Sequence, residues 1–292
     1  MIPAWFTAAL ECPRREGTVE AEGCPIHYLD WGDVHAPGLV FIHGGAAHAH
    51  WWSFLAPLFT YRWRVVAFDL SGHGDSGQRP AYSPELWAAE AASVVRHAAF
   101  PGPPVVVGHS LGGLVAIQTA LDHCADLAGV VLVDAAVRRP EPEALEGGRG
   151  RAFRSPGTYP TFEEARAHFR LIPEQPEVPP FIFDYIARHS LREGPGGWTW
   201  KFDPAAFRQP RLHMGERLAA ARGRLALLYG ERSAILTADT ASYMSELMDH
   251  RAPVIPIAEA HHHLVLDQPL AFVAALRALL ADWELSLPRD GD

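Results

Sequence analysis

The stretch PVVVGHSLGGLVAIQTALDHC, residues 104–124, is the part of the sequence that decides the fold. It begins with the apolar run 104–107, whose three valines are typical of a strand buried on both faces of a parallel sheet. It ends with Leu111–Cys124, a proline-free and mostly apolar segment that predicts a helix. A strand that passes so directly into a helix indicates a sharp turn at the residues between them.

The turn has the pattern G-x-S-x-G, with glycine at positions 108 and 112 around Ser110. A serine at the centre of such a turn is strained, and side chains two residues to either side would collide, which explains the glycines. The turn lifts the Ser110 hydroxyl above the carboxyl edge of the sheet, where the N-terminus of the next helix favours negative charge. The pattern therefore predicts that Ser110 is a nucleophile. The alternative is a tight turn whose serine only caps the helix.

Apolar runs alternate with helix-like segments along much of the chain. The runs are Gly38–Ile42, Trp63–Phe68, Pro104–Val107, Val130–Val133, Leu225–Tyr229 and Val254–Ile257. The candidate helices are Pro84–Ala98 after a possible N-cap at Ser83, Leu111–Cys124, Thr237–Met248 and Leu270–Trp283. This alternation predicts an α/β fold with a mostly parallel sheet and right-handed crossovers. An earlier pair, Val19–Glu22 and Ile26–Trp31, predicts an antiparallel hairpin at one sheet edge.

One long segment breaks this alternation. From about Arg138 to Leu218 no strand-like run occurs, and the composition is rich in proline, arginine and aromatic residues. A structureless loop of about 80 residues is implausible in a compact domain. We therefore expect a helical insertion at 138–218 that covers one end of the sheet, with a core domain formed by residues 1–137 and 219–292.

The composition limits the partners and the location that we expect. The net charge of −9 disfavours a general nucleic-acid-binding role. The three cysteines are widely spaced, so we expect free thiols in a reducing cytoplasm rather than a disulfide framework. We expect no signal peptide, because no N-terminal segment has a basic start followed by a long apolar run, and no membrane span, because no apolar stretch reaches about 18 residues. The sequence predicts no cofactor and leaves the oligomeric state open.

The sequence resembles the α/β-hydrolase superfamily, over nearly the whole chain apart from the insertion. The resemblance implies an eight-stranded, mostly parallel sheet with helices on both faces and a helical cap inserted after the sixth strand. The residues that carry it occur in this order: His43-Gly44-Gly45, Asp69-Leu70-Ser71-Gly72-His73-Gly74-Asp75-Ser76, Gly108-His109-Ser110-Leu111-Gly112-Gly113 and Leu266-Asp267-Gln268-Pro269.

A base must take the proton of Ser110, and the pKa of histidine suits that task. The resemblance implies a histidine after the last strand, where this chain has three in succession at 261–263. In similar proteins the base commonly lies seven residues before the proline of the Asp-Gln-Pro ending. This spacing favours His262, with His263 as the alternative. Three consecutive histidines lack the spacing of two ligands on one helix face, so we expect no metal.

The acid that completes the triad is less obvious. The resemblance implies an acid at position 233, but Ser233 stands there, and serine cannot stabilise an imidazolium by charge. Asp134, at the end of the preceding strand, is an alternative acid location in this superfamily. Glu231 lies in the usual loop but two residues early. We favour Asp134 and keep Glu231 as the alternative.

The remaining expected site residues surround the reacting carbonyl. Backbone amides stabilise the oxyanion of such reactions, and the resemblance implies those of Leu111 and Gly45. The insertion resembles a helical cap whose aromatic residues form an apolar pocket wall. Candidate substrate contacts there are Trp198, Trp200, Phe169 and Arg188.

Together these residues predict a serine hydrolase that cleaves a small, fairly apolar carboxylic ester through an acyl-enzyme, with a Ser-His-Asp triad. Two alternatives with the same triad are hydrolysis of a carbon–carbon bond and hydrolysis of a lactone. A third is a receptor that uses the fold to bind a small ligand without catalysis. An epoxide hydrolase or a haloalkane dehalogenase is disfavoured, because those enzymes need a carboxylate where this chain has Ser110.

Overall fold

The computed structural model describes residues 1–140, 157–176, 178–208 and 214–285. The strands are β1 Arg15–Ala21, β2 Cys24–Trp31, β3 Gly38–Ile42, β4 Arg64–Phe68, β5 Val105–His109, β6 Gly129–Val133, β7 Leu191–Gly194, β8 Gly197–Trp200, β9 Leu225–Gly230 and β10 Val254–Ile257. Eight of them form one sheet in the order β1-β2-β4-β3-β5-β6-β9-β10. β1 and β2 form an antiparallel hairpin, β2 is antiparallel to β4, and the other pairs are parallel.

Alternate residues of the central strands pack on opposite faces of this sheet. In β3, Leu39 and Phe41 belong to one hydrophobic cluster, whereas Val40 and Ile42 belong to another on the other side. All four side chains are fully buried. Because both faces are covered, the strand needs apolar residues at every position, which explains the continuous runs in the sequence.

Helices cover both faces of the sheet. They are α1 Ala4–Glu11, α2 Pro84–Ala98, α3 Leu111–Asp122, α4 Phe162–Ala167, α5 Pro180–His189, α6 Met214–Ala220, α7 Ala238–Leu247, α8 Leu264–Asp267 and α9 Pro269–Leu285. The predicted α/β fold with an eight-stranded, mostly parallel sheet is therefore confirmed. Helix α1 has no counterpart in the sequence-based expectations.

The predicted insertion 138–218 lies partly outside the described residues, which omit 141–156, 177 and 209–213. We refer to its residues 157–176 and 178–208 as the inserted segment. It contains α4, α5 and a 3₁₀ turn at Pro204–Phe207. The bounds of the predicted cap stay a prediction.

The expectation that the insertion is entirely helical is wrong in one respect. β7 and β8 form an antiparallel two-stranded sheet within it, paired from Leu191–Trp200 to Gly194–Gly197. The strands are four residues long and their residues are half-buried or exposed at most positions. They therefore lack the continuous apolar run by which the core strands were recognised. The φ angles of Gly196 and Gly197, +92° and +122°, allow the chain to reverse there.

None of the helices in the described ranges combines the length and the apolar character that a membrane-crossing helix requires.

The start of α2 provides a test of the local structure. Ser83 has an extended backbone, and its Oγ accepts a hydrogen bond from the amide of Leu86 at 3.2 Å. Ser83→Ala removes this N-cap and should lower the free energy of unfolding by about 1 kcal/mol in urea titrations. Ser93→Ala, in the same helix, removes a hydroxyl that donates to the carbonyl of Ala89 and accepts from the exposed Arg96 guanidinium, and should be nearly neutral. Equal losses for the two variants would contradict the assignment of Ser83 as the cap.

Candidate active site

The turn after β5 holds Ser110 in an unusual backbone conformation. Its φ and ψ angles are 52° and −114°, a region that non-glycine residues rarely occupy. A Cβ at Gly108 would collide with the carbonyl of Gly112, and a Cβ at Gly112 would collide with the carbonyl of Ile42. Glycine is therefore required on both sides of the serine, and α3 begins directly after it.

The imidazole of His262 lies between Ser110 and a carboxylate. Its Nε2 is 3.1 Å from Ser110 Oγ, and its Nδ1 is 2.7 Å from Asp134 Oδ1. A carboxylate accepts hydrogen bonds, so Nδ1 carries the hydrogen and the Nε2 lone pair faces the serine hydroxyl. His262 is 3% exposed and Asp134 is fully buried. The arrangement allows the serine proton to pass to His262 when the oxygen attacks a carbonyl.

Asp134 directly follows β6, with a positive φ of 47°. Besides His262, its carboxylate accepts from the amide of Gly230 at 2.8 Å and from the hydroxyl of Ser233 at 2.7 Å. Ser233 Oγ itself accepts from the amides of Ile235 and Leu236, both at 3.1 Å. Ser233 therefore carries no charge of its own at this position but donates a hydrogen bond to the Asp134 carboxylate.

The alternative residues make other contacts. Glu231 is exposed, and its Oε2 accepts from the amide of Glu259 at 3.2 Å. The Nε2 of His263 lies 3.2 Å from the carbonyl oxygen of Pro173. Among the described residues, His262 is the histidine that connects Ser110 with a carboxylate.

The loop after β3 presents the predicted amide donor Gly45. The carbonyl of Gly44 accepts from Nδ1 of His43 at 2.7 Å and from the amide of Ala47 at 3.2 Å. The His43 Nε2 accepts from the amide of Leu70 at 3.1 Å, which fixes the hydrogen on Nδ1. In a trans peptide the N–H points opposite to the preceding C=O. Holding the Gly44 carbonyl therefore directs the Gly45 N–H away from His43.

Gly45 and Leu111 lie next to each other. A Cβ built on Gly45 would be 3.9 Å from Leu111 Cβ, and one on Gly44 would be 3.3 Å from Ser110 Cβ. Neither the Gly45 nor the Leu111 amide has an acceptor among the described residues. Two adjacent amides beside the serine hydroxyl can together stabilise an oxyanion.

His109 connects the serine turn with the histidine loop. Its Nε2 donates to the carbonyl of His262 at 3.0 Å. Burial, followed by the proximity of His262, lowers the pKa of His109 to about 3. It is therefore neutral at pH 7 and acts as a hydrogen-bond donor without adding charge beside the catalytic candidates.

Two groups of described residues have potential metal-ligating atoms within 4.8 Å of one another. The first is His109, His262 and His263, but both ring nitrogens of His262 already face Ser110 and Asp134. The second is His27, Asp69 and Asp75, where the His27–Asp69 hydrogen bond of 2.8 Å accounts for the closeness. Existing hydrogen bonds thus explain the central contacts of both groups.

The four predicted substrate contacts take part in the packing of the inserted segment itself. Phe169 lies against Phe183 and Trp200, with ring centroids 5.1 and 5.6 Å apart. Trp198 packs on Phe162 at 5.0 Å. Arg188 is exposed and forms an ion pair with Asp184 at 2.8 Å. These contacts do not bring the four side chains to Ser110, and their role in substrate binding stays a prediction.

Phe207 is a neighbour of the site that the sequence analysis did not select. Its Cε1 lies 2.9 Å from the position that a Cβ of Gly45 would occupy. Its place at the end of an aromatic-rich segment gave no signal that separated it from the segment's other aromatic residues. Ser233 carried a clearer signal, because it stands at the position where the resemblance implies an acid.

The fold agrees with a comparison to known proteins. The family model described as "Alpha/beta hydrolase family" matches residues 39–276. The chain belongs to the alpha/beta hydrolase family. The prediction of an α/β-hydrolase enzyme is thereby confirmed.

Individual alpha/beta hydrolases are similar over most of the chain. Esterase Rv0045c of Mycobacterium tuberculosis (strain ATCC 25618 / H37Rv) is 29% identical over 262 residues, which cover 87% of this chain and 86% of the esterase. A crystal structure of that esterase gives a TM-score of 0.74 at 26% identity, covering 95% and 97% of the two chains. The structure of E-2-(acetamidomethylene)succinate hydrolase gives a TM-score of 0.80 at 21% identity, covering 92% and 100%, a likeness of fold.

A shorter similarity connects the chain with a methylesterase. Protein phosphatase methylesterase 1 of Bos taurus is 32% identical over 136 residues, which cover 44% of this chain and 36% of the relative.

Buried histidines near the site predict a loss of stability in acid. Burial lowers the pKa values of His73 and His109 to about 3, against about 6.5 in an unfolded chain. Below pH 6.5 the unfolded chain therefore binds protons that the folded chain does not. The free energy of unfolding therefore has its full value, as far as these two histidines determine it, above pH 6.5. It decreases as the pH falls toward 3. Each histidine should reduce the free energy of unfolding by about 2 kcal/mol between pH 7 and pH 5.

Urea titrations at both pH values measure this loss. His73→Gln should reduce the difference in the free energy of unfolding between pH 7 and pH 5 by about 2 kcal/mol, the contribution of one buried histidine. His35→Gln, at an exposed position, should leave this difference unchanged. A free energy of unfolding that stays constant from pH 7 to pH 5 would contradict the neutral state of the buried histidines.

Proposed function

We propose that this protein hydrolyses a small, fairly apolar carboxylic ester through an acyl-enzyme. In this proposal Ser110 is the nucleophile, His262 is the general base, Asp134 is the acid, and the amides of Gly45 and Leu111 form the oxyanion hole. The single observation that carries it is the hydrogen-bonded row from Asp134 through His262 to Ser110, with distances of 2.7 and 3.1 Å.

The reaction would proceed in two halves. Ser110 Oγ attacks the ester carbonyl while His262 Nε2 takes its proton, and the resulting oxyanion accepts hydrogen bonds from the two amides. His262 then donates that proton to the leaving alkoxide, so that an alcohol departs and an acyl-serine remains. A water molecule, deprotonated by His262, cleaves the acyl-serine and releases the carboxylic acid. Asp134 orients the imidazole and stabilises its charged form throughout.

The relatives support an ester as the substrate class. The relative that matches this chain over most of its length is named an esterase, and the shorter match is named a methylesterase. A lactone is a cyclic ester and would use the same steps. Cleavage of a carbon–carbon bond would also use the triad, but no contact among the described residues specifically favours it.

Ser110→Ala tests the nucleophile. We expect hydrolysis of short p-nitrophenyl esters to fall by about a thousandfold or more, because the acyl-enzyme can no longer form. Ser93→Ala is the matched control and should retain full activity, since Ser93 lies on α2 and bonds to Ala89. A fluorophosphonate probe should label the wild type but not Ser110→Ala. A wild-type protein that neither labels nor turns over any ester would instead indicate a ligand receptor.

Asp134→Asn tests the acid. We expect kcat to fall by about a hundredfold to ten-thousandfold, because an amide neither fixes the tautomer of His262 nor stabilises its charge. Glu231→Gln should stay close to the wild type, since Glu231 bonds to Glu259 on the surface. The opposite ranking of these two variants would transfer the role to Glu231.

An exchange of the two side chains makes a sharper version of this test. Ser233 Oγ lies 2.7 Å from the carboxylate of Asp134, so a carboxylate at position 233 would reach the same region. The double variant Asp134→Ser with Ser233→Asp should recover part of the activity that Asp134→Ser alone loses. No recovery would mean that the acid is effective only at the end of β6.

A further inference from the structure

One hydrogen bond joins the loop that carries Gly45 to the inserted segment. His48 Nε2 is 2.9 Å from the Oγ of Ser190, the residue that follows the end of α5. Their exposed fractions are 2% and 4%, so water does not compete for this contact. A buried side-chain bond between a core loop and an insertion fixes the position of each relative to the other.

The donor and the acceptor of this bond follow from the other contacts. The Ser190 hydroxyl donates its single hydrogen to the carbonyl of Ile186 at 2.8 Å. Ser190 Oγ therefore accepts from His48, whose hydrogen lies on Nε2, while Nδ1 is buried without a partner among the described residues. Burial and the neighbouring His50 hold the pKa of His48 well below its usual value. The neutral ring, donating from Nε2, is the state present at pH 7.

A second anchor holds the other side of the same loop. The carboxylate of Asp69, also buried, accepts from the amide of Ala49 at 2.6 Å and from the amide of Asp75 at 2.9 Å. Asp75 forms an ion pair with Lys201 Nζ at 2.6 Å, and the Lys201 amide donates to the carbonyl of Ser190 at 2.9 Å. The loop is therefore linked to the inserted segment by two routes. One runs from His48 directly to Ser190, and the other from Ala49 through Asp69, Asp75 and Lys201 to the same Ser190.

A short turn connects His48 with Gly45, whose amide is the proposed oxyanion donor. The amide of Ala47 bonds to the carbonyl of Gly44 at 3.2 Å, and Ala46 has a positive φ of 56°. Gly45 therefore lies inside a closed turn, three residues before His48. A displacement of His48 would move the end of this turn and with it the direction of the Gly45 N–H.

We propose that Ser190 and His48 are positioning residues for the oxyanion hole. Their hydrogen bond, which forms where the inserted segment packs on the core, fixes the position of the loop that carries Gly45. This inference rests on the proposed function, in which the Gly45 amide binds the oxyanion. Neither residue touches the reacting atoms; both act through the backbone of Gly45.

The expected signature is a loss of kcat with little change in KM. An oxyanion forms only in the transition state, so a misdirected amide weakens that state more than the bound ester. Removing an oxyanion donor outright lowers kcat by about a hundredfold to a thousandfold. A displaced donor should have a smaller effect, and we expect about a tenfold loss.

The experiment compares Ser190→Ala and His48→Phe with conservative variants of the same residues. Ser190→Thr keeps the acceptor and His48→Gln keeps a donor, so both should recover most of the kcat. Inhibition by a trifluoromethyl ketone, which forms an oxyanion with the serine, should weaken in parallel with kcat. Inhibition by a non-reactive ester analogue should not change.

Tyr82→Phe is the matched control. It removes another hydrogen bond between the core and the inserted segment, from Tyr82 Oη to Asp203 Oδ2 at 2.7 Å. This contact does not involve the loop of Gly45, so the kcat of the control should stay near the wild type. The double variant of Ser190 and His48 should lose no more kcat than the more affected single variant, because both changes break one contact.

Several outcomes would overturn the inference. They are an effect on KM alone, multiplicative losses in the double variant, or an equal loss of kcat in Tyr82→Phe. Measuring each variant at least 15 °C below its own unfolding midpoint separates positioning from a general loss of stability. Retained activity in Ser110→Ala would instead refute the proposed function, so the two failures are distinguishable.

Discussion

A carboxylate that is removed from water must be surrounded by hydrogen-bond donors, and this requirement on Asp134 organises the active-site end of the fold. Its donors are the amide of Gly230, the hydroxyl of Ser233 and the imidazole of His262. They come from the end of β9, from the loop after it and from the segment after β10. Satisfying one buried charge therefore aligns the ends of three strands and points the second nitrogen of His262 at Ser110.

The sequence predicted the core well because the physical requirements there are local. β3 and α2 have the predicted bounds, since a strand buried on both faces needs an unbroken apolar run and a helix start needs a cap such as Ser83. β7 and β8 escaped prediction because they are only four residues long and most of their residues are half-buried or exposed, so no continuous apolar run marks them.

The candidate site shows where local patterns stop being informative. The G-x-S-x-G pattern indicated the serine turn and the resemblance implied His262, but neither could show that the ends of β6 and β9 are adjacent. From the sequence, Ser233 is only a residue that lacks the carboxylate expected at its position. In the fold, its hydroxyl donates a hydrogen bond to the carboxylate of Asp134. The bond between His48 and Ser190 joins residues 142 positions apart, and no sequence pattern marks it.

The position of Asp134 at the end of β6, four residues before the predicted insertion, has a consequence for how such an enzyme can diverge. Among the described residues, the hydrogen-bond donors to its carboxylate lie beyond the insertion, at positions 230, 233 and 262. Substitutions within the inserted segment therefore leave these three contacts of the carboxylate in place, so that segment can change its sequence while the hydrogen-bonded row from Asp134 to Ser110 is kept. Under the positioning role proposed for His48, a transplanted segment would still have to offer an acceptor to its Nε2. The compatibility of a chimaera would then depend on one hydroxyl more than on the overall similarity of the exchanged parts.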